Sequence, residues 1–392
     1  MIEFKDKYNS AKVFTDFVEE SAQSQIMEIL NHPAFEKSKI RFMPDIHAGA
    51  GCCIGFTAKM NDDKIVPNLI GVDINCGMLA VNIGKITNID SKFKSFDEFI
   101  RNNIPSGFSI NSTHNIKKDE YLGREMKRIS DKIESLEYDT ALKAIGTLGG
   151  GNHFAELNID SKDNIWIVVH TGSRNPGLQI ANYHQKKAVE YCEDQCISIP
   201  KSLAYLEGEL AKNYIDDMKV MEYFASINRF SIVHKLLSYF GLEDLLHETI
   251  ESVHNYIDIN NMIIRKGAIS AQKNEKLIIP LNMKDGSIIG IGKGNIDWNY
   301  SGPHGAGRIY SRSKAKEHFT VEEFELQMDG IWSSCIGSNT LDESPMAYKG
   351  KDEIINAIGD SVEIIEVIRP LYNYKSTESK SRKHKKEKGN EL

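Results

Sequence analysis

Apolar positions change their period repeatedly along this chain. Over residues 18–30, Val18, Ala22, Ile26, Ile29 and Leu30 fall at three- and four-residue steps, which predicts an amphipathic helix. From Ile40 onward the pattern becomes short apolar runs cut by Gly, Asn and Asp, such as Ile54–Phe56, Leu69–Val72 and Leu79–Val81. These read as strands joined by tight turns. Residues 120–145 return to a helical, charge-rich pattern, and Ile165–Val169 is a continuous apolar strand that runs straight into His170. Residues 178–255 hold few glycines and charges four apart, such as Lys212 with Asp216, which predicts a largely helical block with a solvated face. Residues 263–296 revert to strands and glycine turns, and Gly302–Gly307 is expected to open into a helix over about Arg308–Phe319. Strand and helix blocks without regular βα alternation predict an α+β fold.

Composition narrows the function classes. The 392 residues are 41% hydrophobic and 26% charged, enough for a sizeable core, with a formal net charge of −7. Nucleic acid would therefore be met through a local cationic patch rather than a basic surface. No run approaches the roughly 20 apolar residues of a membrane span. Met1–Asn9 is polar and lacks an apolar secretion signal, so a cytoplasmic location is expected. Six cysteines are too few for a disulfide framework, and reduced, buried or metal-bound thiols are expected.

Five segments set a metal- or phosphate-competent side chain against glycine: residues 44–49, 71–78, 149–153, 169–174 and 302–308. Glycine has no Cβ, so backbone and ligand can approach closely. Asp73 and Cys76 follow an apolar run, where a carboxylate and a thiolate can converge on one ion; a buried cysteine capped by a turn aspartate is the competing reading. His153 follows three glycines and Asn152, and His170 ends a strand; both are candidate imidazole ligands or hydrogen-bonded structural histidines. His304 sits among Gly302, Gly305 and Gly307 ahead of the expected helix. That would form a phosphate cradle presenting a histidine nucleophile. Arg174, Arg265, Lys266, Arg308 and Lys349 are candidate phosphate contacts, as is His47, although solvated surface cations are the plain reading of each.

Taken together, the strings GVDINCGM (71–78), GTLGGGNHFAEL (146–157), VHTGSR (169–174), HN (254–255), RKGA (265–268), GPHGAGR (302–308) and DESPMAYK (342–349) resemble the RtcB family of GTP-dependent RNA ligases. The resemblance implies a single α+β domain around a deep metal-lined pocket, which would span residues 1–375 with the helical block at about 178–255 as an insert; residues 376–392, rich in Lys, Arg, Ser and Glu and nearly free of apolar residues, read as a basic, disordered tail. It implies two manganese ions held by Asp73, Cys76, His153, His170 and His254, and a GMP adduct on His304. Guanosine-nucleotide contacts would fall on Asn152, His153, Phe154, Ala155 and Glu156, on His254 and Asn255, on Pro280, Leu281, Asn282 and Met283, on His304, Gly305, Ala306 and Gly307, and on Lys375. The implied reaction uses GTP to join RNA ends bearing a 3′-phosphate or 2′,3′-cyclic phosphate to 5′-hydroxyl ends, in tRNA splicing or RNA repair. Asn75 stands where the family usually has glycine, and residues 280–283 match the family turn approximately. A dinuclear metal phosphoesterase and a non-catalytic, metal-stabilised RNA-binding protein are the alternatives. The cellular RNA and any activating protein partner are left open by the sequence.

Overall fold

The computed structural model describes residues 1–60, 63–114 and 119–377. Its centre is a seven-stranded antiparallel sheet in the spatial order Lys276–Asn282, Gly286–Gly292, Val362–Lys375, Phe154–Ile159, Ile165–Thr171, Gly77–Asn82, Glu248–Val253. Side chains alternate across a strand, and here both faces are covered. Leu79, Val81, Leu157, Ile167 and Val169 pack on one face together with Phe96, Ile232 and Leu236 of two helices. Met78, Ala80, Phe154, Trp166 and Val168 fill the other. The two end strands curl toward each other, and the Ile278 amide donates to the Ser252 hydroxyl at 2.9 Å.

A second, six-stranded sheet runs Ile2–Lys5, Ser10–Val13, Lys39–His47, Ile54–Lys59, Ile263–Lys266, Tyr256–Asp258. A short pair, Ala268–Ser270 with Ser301–Pro303, follows directly from it. The mixed, non-alternating order is the α+β class that the periodicity predicts, in a single domain. Among the described residues no helix is long and apolar enough to cross a membrane.

Two expectations need correction. The helical block placed at 178–255 consists of Arg174–Asp194 and Gly208–Phe240, whereas Glu248–Val253 is a strand. Leu246, Ile250 and Val253 stand at helical spacing, but burial alternates: Ile250 and Ser252 face inward while Thr249 and Glu251 are exposed. The helix expected from Arg308 starts at Arg312 and ends at His318, because Ser311 takes the N-cap and accepts the Lys314 amide. The tail expected over 376–392 begins with a buried Ser376, and residues 378–392 lie outside the described residues.

The long helix also supports the central turn. The Arg229 guanidinium is fully buried and donates to the carbonyls of Asn75 at 2.7 Å and Thr171 at 3.0 Å. Asn228 accepts the Gly146 amide at 2.8 Å and donates to the Gly172 carbonyl at 3.0 Å. Two of the glycine-framed segments, and Gly146 just ahead of a third, are thus pinned to one helix.

A candidate metal centre beside an oriented histidine

Asp73, Asn75 and Cys76 form the turn that feeds the strand Gly77–Asn82. Asn75 adopts φ 53°, the left-handed conformation that asparagine tolerates, so the turn survives without the family's glycine. Cys76 Sγ lies 3.3 Å from His153 Nε2 and 3.2 Å from His170 Nε2, and Asp73 Oδ2 lies 2.9 Å from His153 Nε2. The donor atoms form two groups, Asp73–Cys76–His153 and Cys76–His170–His254, each within 4.8 Å. Cys76 belongs to both. Gly172 keeps the space clear, since a Cβ there would overlap the Asp73 carboxylate.

The surroundings orient these donors. His153 Nδ1 lies 2.9 Å from the Leu148 carbonyl and His170 Nδ1 lies 3.2 Å from the Asn152 carbonyl. A carbonyl only accepts, so the His170 Nδ1 carries the hydrogen and its Nε2 turns a lone pair toward Cys76, whereas His153 faces an acceptor at each nitrogen, the Leu148 carbonyl at Nδ1 and the Asp73 carboxylate at Nε2. Arg174 approaches the His153 Nδ1 at 3.2 Å, its longer contact. Burial pushes the Asp73 carboxyl up, but the His153 hydrogen bond and the Arg174 charge outweigh it and bring the group to about 2. Burial, and then Asp73, hold the Cys76 thiol well above its ordinary range. Burial, and then the neighbouring imidazoles, keep His170 and His254 neutral. Asp73 Oδ1 and His254 Nδ1 are buried without a protein partner. Closely set sulfur, nitrogen and oxygen donors with unpaired atoms suit divalent cations, which would also lower the thiol's pKa.

His304 follows the strand Ser301–Pro303. Its Nδ1 lies 2.6 Å from Asp45 Oδ2, and its backbone amide donates to the same oxygen at 3.2 Å. Asp45 is fully buried in the strand Lys39–His47. Gly307 makes this approach possible: it adopts φ +77°, and a Cβ there would lie 2.5 Å from the Asp45 carbonyl oxygen. The His254 and His304 ring centroids are 4.8 Å apart, which joins the histidine to the metal-capable cluster. Asp45 stood inside a glycine-framed segment of the sequence, yet its partnership spans 259 residues and has no local signature.

One cavity brings most of the expected residues together. Asn152, Phe154, Glu156, Pro280–Met283, His304–Gly307 and Lys375 line it, together with His47, His170 and Arg308. Lys375 Nζ lies 3.3 Å from Glu343 Oε2 and 3.4 Å from the Asn152 carbonyl. Burial pushes Glu343 up, but Lys375, Arg312 and Arg308 hold its carboxyl at about 2. Burial raises Glu156 to about 7 against the opposing effects of Asn158, Lys375 and Asn373.

Several candidates face away from the cavity or are committed to partners within the protein. Ala155 packs on the opposite face of the sheet. Asn255 accepts the Gly267 amide at 2.9 Å and donates to the Asp73 carbonyl at 3.1 Å. Arg265, a candidate phosphate contact, is fully buried against Ser301, Tyr256 and Asp258. Lys349 donates to the Pro44 carbonyl at 2.8 Å, and Arg308 donates to the Asp342 and Tyr310 carbonyls. Arg174, half-buried, donates to the Gly107 carbonyl at 3.3 Å. A phosphate cradle at a helix N-terminus is not formed, because the helix begins four residues later than expected and is only seven residues long.

Fold and site together define an α+β protein that sets a shared-cysteine, metal-capable cluster beside a carboxylate-held histidine in one cavity. The family model described as "tRNA-splicing ligase RtcB" matches residues 25–376. The chain is similar to RNA-splicing ligase RtcB of Escherichia coli K12 and to RNA-splicing ligase RtcB1 of another Escherichia coli strain. Each is 30% identical over 390 residues, covering 90% of this chain and 94% of the relative. It is also similar to tRNA-splicing ligase RtcB of Methanococcus maripaludis, 26% identical over 426 residues and 88% of each chain. The chain belongs to the RtcB family and is a ligase.

Proposed function

We propose that the chain seals RNA, joining a 3′-phosphate or 2′,3′-cyclic phosphate end to a 5′-hydroxyl end through a GMP adduct on His304. The observation that carries this reading is the 2.6 Å contact between Asp45 Oδ2 and His304 Nδ1 in a cavity shared with the metal-capable cluster. A carboxylate that accepts the Nδ1 hydrogen leaves the Nε2 lone pair to attack phosphorus at neutral pH. Nε2 would bond to the α-phosphorus of GTP as the bond to pyrophosphate breaks, while Asp45 offsets the charge gained by the ring. An oxygen of the RNA 3′-phosphate then takes the GMP and His304 recovers its lone pair. The 5′-hydroxyl oxygen finally attacks the activated 3′-phosphorus and GMP departs.

Asp73, Cys76, His153, His170 and His254 would hold two divalent cations, which when bound offset phosphate charge. Manganese is the identity favoured by the family resemblance, since the donors would also suit zinc. Pro280–Met283, Phe154, Glu156 and Lys375 line the space that the guanosine would fill.

The test is covalent labelling. The protein incubated with Mn²⁺ and α-labelled GTP should retain label through denaturation, and His304→Ala should retain none. Equal labelling of both would remove His304 from the role. Release of phosphate from the RNA with no protein adduct would favour the metal phosphoesterase.

A further inference from the structure

Asp45 holds two imidazoles. Its carboxylate takes His304, and its backbone carbonyl lies 2.8 Å from Nδ1 of His47, two residues along the same strand. The carbonyl only accepts, so His47 also carries its hydrogen on Nδ1 and leaves a lone pair on Nε2. The cavity is lined by three imidazoles, His47, His170 and His304. His170 belongs to the metal-capable cluster and His304 is the proposed nucleophile. His47 has no task so far.

The segment that carries His47 is tied at almost every residue. Lys349 holds the Pro44 carbonyl, and Glu19 Oε1 accepts the Ala48 amide at 2.8 Å. Gln25 donates to the Gly49 carbonyl at 2.8 Å and accepts the Gly49 amide at 3.2 Å, and Lys266 Nζ donates to the Ala50 carbonyl at 3.2 Å. Two lysines that resembled phosphate contacts thus serve as anchors for this loop. Such immobility costs conformational entropy in advance and favours a group that must meet a reacting atom.

Sealing needs a proton acceptor. In an in-line displacement the entering 5′-hydroxyl stands opposite the departing GMP, so the residue that delivered GMP is on the wrong side to deprotonate it. We propose that His47 Nε2 is the general base for the 5′-hydroxyl, an inference that rests on the sealing reaction proposed above. The O5′ proton moves to His47 Nε2 as O5′ bonds to the 3′-phosphorus. The bond from that phosphorus to the GMP oxygen breaks, and GMP leaves with the electron pair. The Asp45 carbonyl keeps the Nδ1 hydrogen of the resulting imidazolium. The charged groups around the ring are Asp45, His304 and Arg308, with Glu19 on the adjoining amide. Burial, ahead of these charges, keeps the imidazole neutral, so that its Nε2 lone pair is free to take a proton.

The test uses RNA carrying an already guanylylated 3′-phosphate, so that sealing is read apart from His304 labelling. His47→Gln should seal a 5′-hydroxyl acceptor about 10²-fold more slowly than wild type, beyond any change in labelling. An acceptor ending in a 5′-thiol, largely ionised above its pKa near ~8.5, needs no base, and on it the variant should approach wild type. His47→Ala, which leaves an imidazole-sized space, should regain sealing as free imidazole is added. Equal slowing on hydroxyl and thiol acceptors, or no imidazole rescue, would overturn the inference. Failure of wild type to label His304 while still sealing guanylylated RNA would instead count against the proposed function.

Discussion

Asp45→Asn changes one atom type at the bottom of the cavity and almost no volume. Asp45 is fully buried, and its Oδ2 accepts both the His304 ring at 2.6 Å and the His304 amide at 3.2 Å. An asparagine oxygen can still accept, so the ring can keep its place. What is lost is the negative charge facing an imidazole that becomes cationic as it bonds to phosphorus. Hydrogen bonds to charged groups are worth about 1.5–3 kcal/mol. At about 1.4 kcal/mol per factor of ten, the guanylylation rate should fall roughly 10- to 150-fold. Single-turnover labelling with α-labelled GTP and saturating Mn²⁺ reads that step, and a melting curve reports whether the fold is kept. A variant labelled within about threefold of wild type would refute the argument that the Asp45 charge activates His304.

Other consequences follow from the same geometry. Cys76→Ala removes a donor from both groups at once, so bound manganese measured by plasma mass spectrometry should be lost from both positions while the melting transition stays cooperative; unchanged metal content would mean the centre is drawn wrongly. Gly307→Ala must place a Cβ 2.5 Å from the Asp45 carbonyl at φ +77°, and should cost roughly 1–3 kcal/mol of stability and abolish labelling. Glu343 has its carboxyl lowered from 4.5 to about 2 in the folded protein. Its contribution is therefore complete above pH 4.5 and lost as pH falls toward 2, at most about 3 kcal/mol. Glu343→Gln should flatten the acid limb of a melting-temperature profile; an unchanged limb would contradict this. Arg265→Lys should destabilise the fold by about 2–4 kcal/mol and leave the salt dependence of RNA binding unaltered, whereas a shallower salt slope would restore it as a phosphate contact.

The parts of the site that can be read in sequence are those with a local signature. Asp73, Cys76, His153, His170 and His304 each sit where an apolar run meets glycine, and the structure brings these donors together from separate strand ends. Asp45 and Arg229 could not be read, because their value lies in partners across the chain: His304 for one, the Asn75 and Thr171 carbonyls for the other. Arg265, Lys266 and Lys349 look like phosphate contacts in a string of letters. Only burial reveals that their charges are committed to internal oxygens. Residues 248–253 read as part of the helical block because an edge strand with exposed glutamates lacks a continuous apolar run.

The fate of the 3′-phosphate tests the central claim most directly. An RNA whose 3′-phosphate is labelled would be incubated with a 5′-hydroxyl RNA, the protein, Mn²⁺ and GTP, and the products treated with phosphatase. The account predicts that the label enters a longer RNA and becomes resistant to phosphatase, only with GTP and only with His304 intact. Label released as inorganic phosphate, or a junction formed equally well by His304→Ala, would contradict it.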